Sequence, residues 1–416
     1  MKRALPLPLL LCLLVTGCVV QDTKPLAKIQ ATQAVSEIPG DERLDVVIHG
    51  FDPGIPAELA TDEEALAKKR IYPDLRKAEA RYIPVELRNT LENSAQWGAV
   101  RVAPESVQFV DLAISGKIID STGKHLAIEI TVRDAAGRVW MHDKRYEGEA
   151  DIGSYKTDTA LHARDPFQNL YSQIANDLLG IRTKFSASAL RELHQVSDLQ
   201  FAQDIAPAAL SGYLAKDTSS KPPLTHVVRL PAENDPMAIR VKRIRERDTA
   251  VVDTLDGYYL GFTEQMQQSY GEFRRTSYDE IDKEDEARAS ARMRTILGAA
   301  AVAASIFAPG SCSSQTSCNA LSAARYAGSI GGVTSFLSGL KKYADARTHA
   351  QSFGELARSF QSDVAPQVVD VEGRSLKLSG SAEEQYREWR RLLQEYQAED
   401  LPPAGPATPV PAAQAP

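Results

Sequence analysis

The chain has 416 residues, of which 43% are hydrophobic and 25% are charged. It is therefore long enough for two or three domains and apolar enough to bury a core, which excludes a chain that is disordered throughout. Its net charge of −7 disfavours a nucleic-acid partner, because proteins bind such partners through basic side chains that neutralise phosphates.

Residues 1–17 have the composition of an export signal that is removed. Two basic residues precede an uncharged, leucine-rich run that begins at Ala4 and ends at Gly17. This run is too short to span a hydrocarbon core about 30 Å thick. The segment from Val15 to Cys18 reads VTGC and resembles a bacterial lipobox.

The lipobox resemblance implies cleavage before Cys18 and a membrane anchor formed by acyl chains on that residue. An ordinary secretory signal with a chance cysteine is the alternative. Val19 stands where aspartate would retain a lipoprotein in the inner membrane, so the resemblance implies the periplasmic face of the outer membrane. Residues 18–42 mix small, polar and charged types, which predicts a flexible tether.

Residues 43–184 predict an α+β domain. A β-branched strand comes first, and a helix should follow with Pro73 in its first turn and a kink or break at Pro84. Four further runs within 99–148 predict strands, several of them joined by short turns, and 165–179 predicts a second helix. The expected fold is a mostly antiparallel sheet covered on one face by two helices.

This order of elements resembles the small domain shared by the amino-terminal region of the TolB protein and the curli-secretion and related envelope lipoproteins. The resemblance covers about residues 43–184 and rests on topology and on the lipoprotein context. It implies that the domain binds protein through its sheet or the edge of the sheet.

Residues 185–400 predict a mainly helical domain. Apolar residues recur at steps of three and four from Met237 to Met266, with Asp248 as the polar exception. This seam is heptad-like. It predicts either a helix packed on its own domain or an intermolecular coiled coil.

Residues 295–340 contain a single charged side chain, Arg325, and predict a Gly/Ala-rich helical hairpin. Gly328 and Gly332 form a G-x-x-x-G that allows close helix packing. A buried core hairpin, an oligomer-forming seam and membrane insertion remain open. Each arm is only about 21 Å long, which is short for crossing about 30 Å unaided.

Two cysteines remain once the signal and the lipid attachment are accounted for. Cys312 and Cys318 lie in the tip of the expected hairpin, and an oxidising compartment favours a disulfide between them. Two free thiols are the alternative.

The end of the chain predicts a small ordered unit followed by a tail. An alternating run at 368–380 predicts a hairpin, and Ser381 with Glu384 forms a capping box. The last helix carries an apolar stripe that includes Trp389 and should dock on the core. Residues 401–416 contain six prolines and predict a disordered tail.

No motif predicts a catalytic, cofactor-binding or metal site. The seven histidines lack metal-ligand spacing. His142 lies at the end of a predicted edge strand, so we do not expect it to act as a base. The acidic run 278–289 is typical of a solvated helix face, and Trp97, Trp140 and Trp389 are expected to pack.

We therefore expect a lipid-anchored periplasmic scaffold or assembly protein that has no catalytic activity. Its expected partners are other envelope proteins, a second copy of itself or peptidoglycan. A secretion-channel or envelope-complex subunit is the second hypothesis. An envelope hydrolase is the third, and it would require a cleft with converging histidine and carboxylate groups, which we do not expect.

Overall fold

The computed structural model of the protein describes residues 26–156, 164–307, 367–371 and 374–399. The described residues form nine strands and seven α-helices, and the predicted α+β class is confirmed. The strands are β1 (Val46–His49), β2 (Val100–Ala103), β3 (Leu112–Ser121), β4 (His125–Asp134), β5 (Val139–Glu149), β6 (Leu214–Asp217), β7 (Leu224–Val227), β8 (Gln367–Val371) and β9 (Arg374–Leu378). The helices are α1 (Glu63–Lys68), α2 (Pro73–Asn93), α3 (Ile152–Lys156), α4 (Gln168–Arg182), α5 (Ala187–Ile205), α6 (Pro236–Phe307) and α7 (Ala382–Glu399).

The first five strands form one mixed sheet in the order β2-β1-β3-β4-β5. Strand β1 pairs in parallel with both β2 and β3, because the connection from β1 to β2 crosses over through α2. Short turns join β3, β4 and β5, which pair antiparallel. The expected antiparallel pairing therefore holds for these three strands only.

The sheet is covered on both faces at β1. Val46 and Ile48 point into a cluster formed with α2 and α4, as predicted, whereas Val47 between them belongs to a second cluster with α5, α6 and α7. Each of these two buried clusters contains residues from both sides of the predicted domain boundary between residues 184 and 185. We had expected helices on one face only.

Helix α2 continues through Pro84 without a break. Proline has no N–H, so the carbonyl of Ala80 loses its usual partner within the helix. The N–H of Phe51, just after β1, donates to that carbonyl at 2.8 Å instead. The Ala80 carbonyl of α2 thus binds the segment that follows β1.

Helix α6 packs on its own chain along most of its described side chains. The buried apolar residues are Val241, Ile244, Val251, Val252, Leu255, Tyr259, Phe262, Met266, Tyr270, Phe273, Tyr278 and Ile281. They contact α5 and α7, then α2, and finally the β3–β4 hairpin. Of the two readings of the heptad-like seam, the one in which the helix packs on its own domain is confirmed.

The β3–β4 turn approaches the backbone of α6 closely. A Cβ atom at Gly123 would lie 2.0 Å from the carbonyl oxygen of Arg274, so only glycine fits this turn. Next to it, Lys124 Nζ lies 3.0 Å from carboxylate oxygens of both Asp282 and Asp285. Part of the acidic run thus binds the hairpin and is not simply a solvated face.

Asp248, the polar exception in the seam, is buried beneath α7. Its carboxylate accepts hydrogen bonds from Trp389 Nε1 at 3.0 Å and from the Tyr386 hydroxyl at 3.2 Å. The Arg245 and Arg390 guanidinium groups lie 3.6 and 3.7 Å away. Burial raises the pKa of Asp248, against the lowering effect of the two arginines.

The predicted carboxyl-terminal unit is confirmed within the described residues. Strands β8 and β9 form the hairpin, and Ser381 Oγ accepts from the Glu384 N–H at 3.2 Å while Glu384 Oε2 accepts from the Ser381 N–H at 2.8 Å. The β6–β7 hairpin was not predicted, because prolines and polar residues mask its two four-residue strands.

Several predicted features lie outside the described residues. They are the signal and lipobox with Cys18, the cysteine pair Cys312 and Cys318, the glycines Gly328 and Gly332, and the tail 401–416. The first arm of the predicted hairpin is helical as far as Phe307, where it ends α6.

Replacing Asp248 with alanine is expected to lower the free energy of unfolding by about 3 kcal/mol, because it leaves buried donors without their acceptor. The donors are the Trp389 indole, the Tyr386 hydroxyl and the neighbouring guanidinium groups. Urea unfolding followed by tryptophan fluorescence measures the loss. The control Asp253→Ala removes a 55% exposed carboxylate on the same helix and should cost no more than about 1 kcal/mol. Equal losses in the two variants would contradict this account.

Candidate functional site

A cleft of about 1120 Å³ opens between α2, the start of α4, α6 and the segment that precedes β1. Arginine and carboxylate groups converge in it, whereas the cleft that the hydrolase hypothesis requires combines histidine with carboxylate groups. No histidine is among its described lining residues. We refer to this feature as the cleft.

One wall of the cleft is the extended segment 26–34, which we call the strap. Four of its residues, from Ile29 to Gln33, line the cleft. We predicted a flexible tether over 18–42, yet side chains of α4 hold the strap in place.

Two asparagines of α4 bind the main chain of the strap in the same way. Asn169 accepts from the Ile29 N–H at 2.9 Å and donates to the Ala27 carbonyl at 3.0 Å. Asn176 accepts from the Thr32 N–H at 2.8 Å and donates to the Gln30 carbonyl at 2.9 Å.

The spacing of these two asparagines matches the strap. Seven residues of helix rise about 10.5 Å, and three residues of extended chain span about 10 Å. The two side chains therefore meet main-chain groups three residues apart. Because an amide side chain carries both a donor and an acceptor, each asparagine replaces a strand partner.

The floor of the cleft is a buried ion pair between Arg274 of α6 and Asp165, which precedes α4. Arg274 Nη1 donates to Asp165 Oδ2 at 2.7 Å, and the Tyr82 hydroxyl donates to the same oxygen at 3.2 Å. The guanidinium lies over the Tyr270 ring, 4.2 Å from its centroid. Asp165 Oδ1 also accepts from the Phe167 N–H at 2.8 Å. This bond lies in the turn before α4, which begins at Gln168 with Phe167 as its N-cap and without a side-chain cap hydrogen bond.

A second buried carboxylate lies behind this floor. Glu79 Oε1 accepts from the Ser121 hydroxyl and from the Tyr270 hydroxyl, both at 2.7 Å. Burial raises the pKa of Glu79, against the lowering effect of Arg76. The two carboxylates thus join α2, α4, α6 and the end of β3.

Glu86 is the lining carboxylate whose protonation changes near neutral pH. It lies one turn beyond Tyr82 on α2. Burial, followed by the charge of Asp165, raises the pKa of Glu86 to about 7. A carboxyl group of this kind in a cleft is a candidate for binding or for proton transfer.

The rim of the cleft is rich in amide side chains, which are Gln30, Gln33, Asn89, Asn93, Gln168, Gln267 and Gln268. Two buried polar atoms of its lining residues, Ser154 Oγ and Arg274 Nε, have no hydrogen-bond partner among the described residues. A polar ligand in the cleft would supply such partners.

Both edges of the five-stranded sheet are protected against strand pairing. At β2, the Val102 N–H donates to Asp256 Oδ1 of α6 at 2.7 Å. At β5, residues 142–145 are exposed and carry charged or titratable side chains, and the pairing with β4 is irregular there. Such features disfavour the addition of a strand, so the cleft is a better candidate binding surface than the sheet edge.

The residues singled out from the sequence take structural roles where they are described. His142 is exposed on β5, with its Nδ1 3.2 Å from Asp143. Trp97, Trp140 and Trp389 are buried as expected. Over the described ranges, no group of three potential metal ligands occurs, and no helix is long and apolar enough to cross a membrane.

Sequence reasoning missed the cleft because its residues come from five separate segments. A local signal did exist, since Glu79, Tyr82 and Glu86 follow steps of three and four on α2 and Tyr270 and Arg274 follow a step of four on α6. Each set places polar groups on one helix face. The signal does not show that the two faces meet.

No family model matches the chain, and no curated protein matches it. One solved structure to which it is similar is a dodecamer of a PelC point variant from Paraburkholderia phytofirmans. The two chains are 12% identical, and the match covers 36% of this chain and 94% of that chain, with a TM-score of 0.20. At this TM-score the likeness bears on neither fold nor function.

Replacing Glu86 with glutamine is expected to change how stability depends on pH. Because burial raises the folded-state pKa from 4.5 to about 7, the folded wild type binds more protons than the unfolded chain between these values, so it loses stability as the pH rises through this range. Glutamine does not titrate. Urea unfolding at a series of pH values should show the variant gaining on the wild type from about pH 4.5 to 7 and a constant difference above about pH 8. A difference that does not change with pH would contradict the assignment.

Replacing both Asn169 and Asn176 with alanine is expected to release the strap, because four hydrogen bonds to its main chain are lost. Trypsin should then cleave after Lys28 at least tenfold faster, as followed by mass spectrometry of the folded protein. The control Gln173→Ala changes an exposed amide on the same helix and should leave the rate unchanged. The same acceleration in the control would show that α4 as a whole had loosened.

Proposed function

We propose that the protein is a lipid-anchored scaffold or assembly protein on the periplasmic face of the outer membrane, and that it acts by binding other envelope components without catalysis. The anchor is Cys18, and the docking surface is the cleft. The observation that carries the proposal is the fixed strap, which connects the two.

The strap keeps the folded body close to the anchor. Ala27, the first residue bound by α4, is nine positions after Cys18, and an extended chain over nine such steps spans at most about 32 Å. A lipid on Cys18 thus places the cleft, of which the strap is a wall, near the bilayer surface. A flexible tether over 18–42 would have allowed more than twice that reach.

The charges of the cleft support binding more than catalysis. Asp165 is held by Arg274 and Tyr82, and Glu79 lies behind the floor with its own donors. These groups join helices to one another. Hydrolysis by general acid–base catalysis needs two groups free to exchange protons with a substrate.

A hydrolase is the rival function, and Glu86 is the observation that favours it. Its pKa of about 7 suits a general acid or base. Purified wild-type chain and the Glu86→Gln variant, each incubated with purified peptidoglycan, decide between the two. Soluble fragments released by the wild type alone would replace the scaffold proposal with an enzymatic one.

The scaffold proposal is tested in intact cells of a bacterium that produces the protein. Radiolabelled palmitate should enter the wild-type chain and not the Cys18→Ser variant. A photoreactive residue in place of Gln268, on the rim of the cleft, should form adducts with a defined envelope protein. The matched control replaces Gln265, an exposed residue of the same helix that does not line the cleft.

Three results would overturn the proposal. They are palmitate labelling that does not depend on Cys18, adducts that are equal at Gln265 and Gln268, and an absence of protein adducts at Gln268. Recovery of peptidoglycan alone would replace the scaffold by a protein that tethers the membrane to the wall.

A further inference from the structure

We infer that the cleft binds an uncharged, extended peptide segment of a partner protein, and that it recognises chiefly the main chain of that segment. The inference rests on the proposed scaffold function and names the chemistry of its partner. It concerns the cleft itself, so it is tested on the purified chain without reference to the anchor.

The size and charge of the cleft define the class of ligand. A volume of about 1120 Å³ lies at the upper end of the range of about 300–1,000 Å³ that is usual for ligand pockets, so the cleft has room for several residues of a peptide. Arg164 and Arg275 line the cleft together with three carboxylates, those of Glu86, Glu264 and Glu272. Because both signs are present, neither a polyanion nor a polycation is favoured.

The exposed amides of the rim fit peptide groups, whereas Gln168 already donates to Thr90 and Ser172. Each amide side chain offers a donor and an acceptor, and so does each peptide unit. Asn93, Gln267 and Gln268 are exposed and lie on two helices that border the same space. Their amide groups can therefore pair with the main chain of one extended segment.

Within the described residues, the aromatic side chains of the cleft disfavour a glycan. Sugar sites commonly offer an exposed aromatic face, whereas Tyr82 is buried. Tyr155 donates its hydroxyl to the Gly123 carbonyl at 2.8 Å, and its ring packs beside Tyr278. The rings that line the cleft are therefore used by the fold.

The protein already binds one extended main chain in this manner. Asn169 and Asn176 hold the strap through its N–H and carbonyl groups, with no contact that selects its side chains. Next to it, Ser154 Oγ and Arg274 Nε are buried without described partners. A carbonyl oxygen of a second extended chain would accept from both types of donor.

Gly271 of α6 offers a way to block the cleft. It lines the cleft, and a Cβ atom built on it would meet nothing within 4 Å. A tryptophan there fills space that a ligand would occupy. Gly257 is a matched control, because it is an exposed glycine of the same helix with equally open surroundings and does not line the cleft.

The test is selection from a library of random twelve-residue peptides displayed on phage, with the purified full chain in detergent as the target. Uncharged peptides should be enriched on the wild type and on Gly257→Trp, and their enrichment should fall at least tenfold on Gly271→Trp. A second variant, Gln267→Ala, changes only an exposed side chain and should weaken binding without affecting stability. Urea unfolding shows whether each variant is folded.

A synthetic copy of the most enriched peptide, N-methylated at alternate residues, then tests recognition of the main chain. It should bind at least tenfold more weakly than the unmodified peptide. The inference is overturned by a lack of enrichment, by enrichment that Gly271→Trp does not reduce, by full binding of the N-methylated peptide, or by binding of soluble glycan strands in place of peptides. Since none of these results depends on Cys18, they leave the anchoring part of the proposed function to its own test.

Discussion

Helix α6 carries an apolar stripe that it cannot bury by itself, and the rest of the described fold is arranged to cover it. From Val241 to Ile281 the stripe is about 60 Å long at the rise of an α-helix. Three buried charged residues interrupt it, and each is bound by a different element. Asp248 binds α7, Asp256 binds α2 and the edge of β2, and Arg274 binds Asp165, which precedes α4.

A shift of α6 by one helical turn would leave all three charges buried without partners, which costs several kcal/mol for each. The three charged residues therefore fix the position of α6 along its axis, which the apolar stripe alone does not define.

The parts of the fold with a local signal were predictable from the sequence, and the parts that depend on distant partners were not. The alternation of apolar and polar residues predicted β4, the capping box predicted the start of α7, and the three-and-four spacing of apolar residues predicted the buried face of α6. The parallel partners of β1 are 54 and 66 residues away, so no local pattern reveals them. Pro84 predicts a kink or a break that α2 does not show. The Ala80 carbonyl, which lacks a donor within the helix because of this proline, accepts from the Phe51 N–H outside the helix. The strap was misread as a tether for a related reason, since its partners are side chains of α4, about 140 residues away.

The candidate site follows from the same constraint as the fold. The charged residues that hold α6 to α2 and to α4 also form the floor of the cleft, so the cleft is rigid where its charges are concentrated. Sequence reasoning predicted a helix that follows Pro73 and a second helix that begins near residue 165, and both helices are present. It missed that Tyr82 and Asp165 meet, because the meeting depends on the position of α6. Burial raises the pKa of both Glu79 and Glu86 on α2, but of these two carboxylates Glu86 alone lines the cleft.

The contacts of Asn169 and Asn176 with the strap depend on the spacing of its main-chain groups and not on its side chains. Their contacts are to N–H and carbonyl groups alone, so substitutions that keep the strap extended, proline excepted, leave the contacts possible. Adding or deleting one residue between Ala27 and Thr32 would shift one end of the strap by about 3.4 Å relative to a helix that cannot stretch. Ala31 also packs against a buried cluster. Apart from such a position, the segment should tolerate substitutions better than changes in length. The number of residues between the two contact points therefore matters more than the identity of most of them.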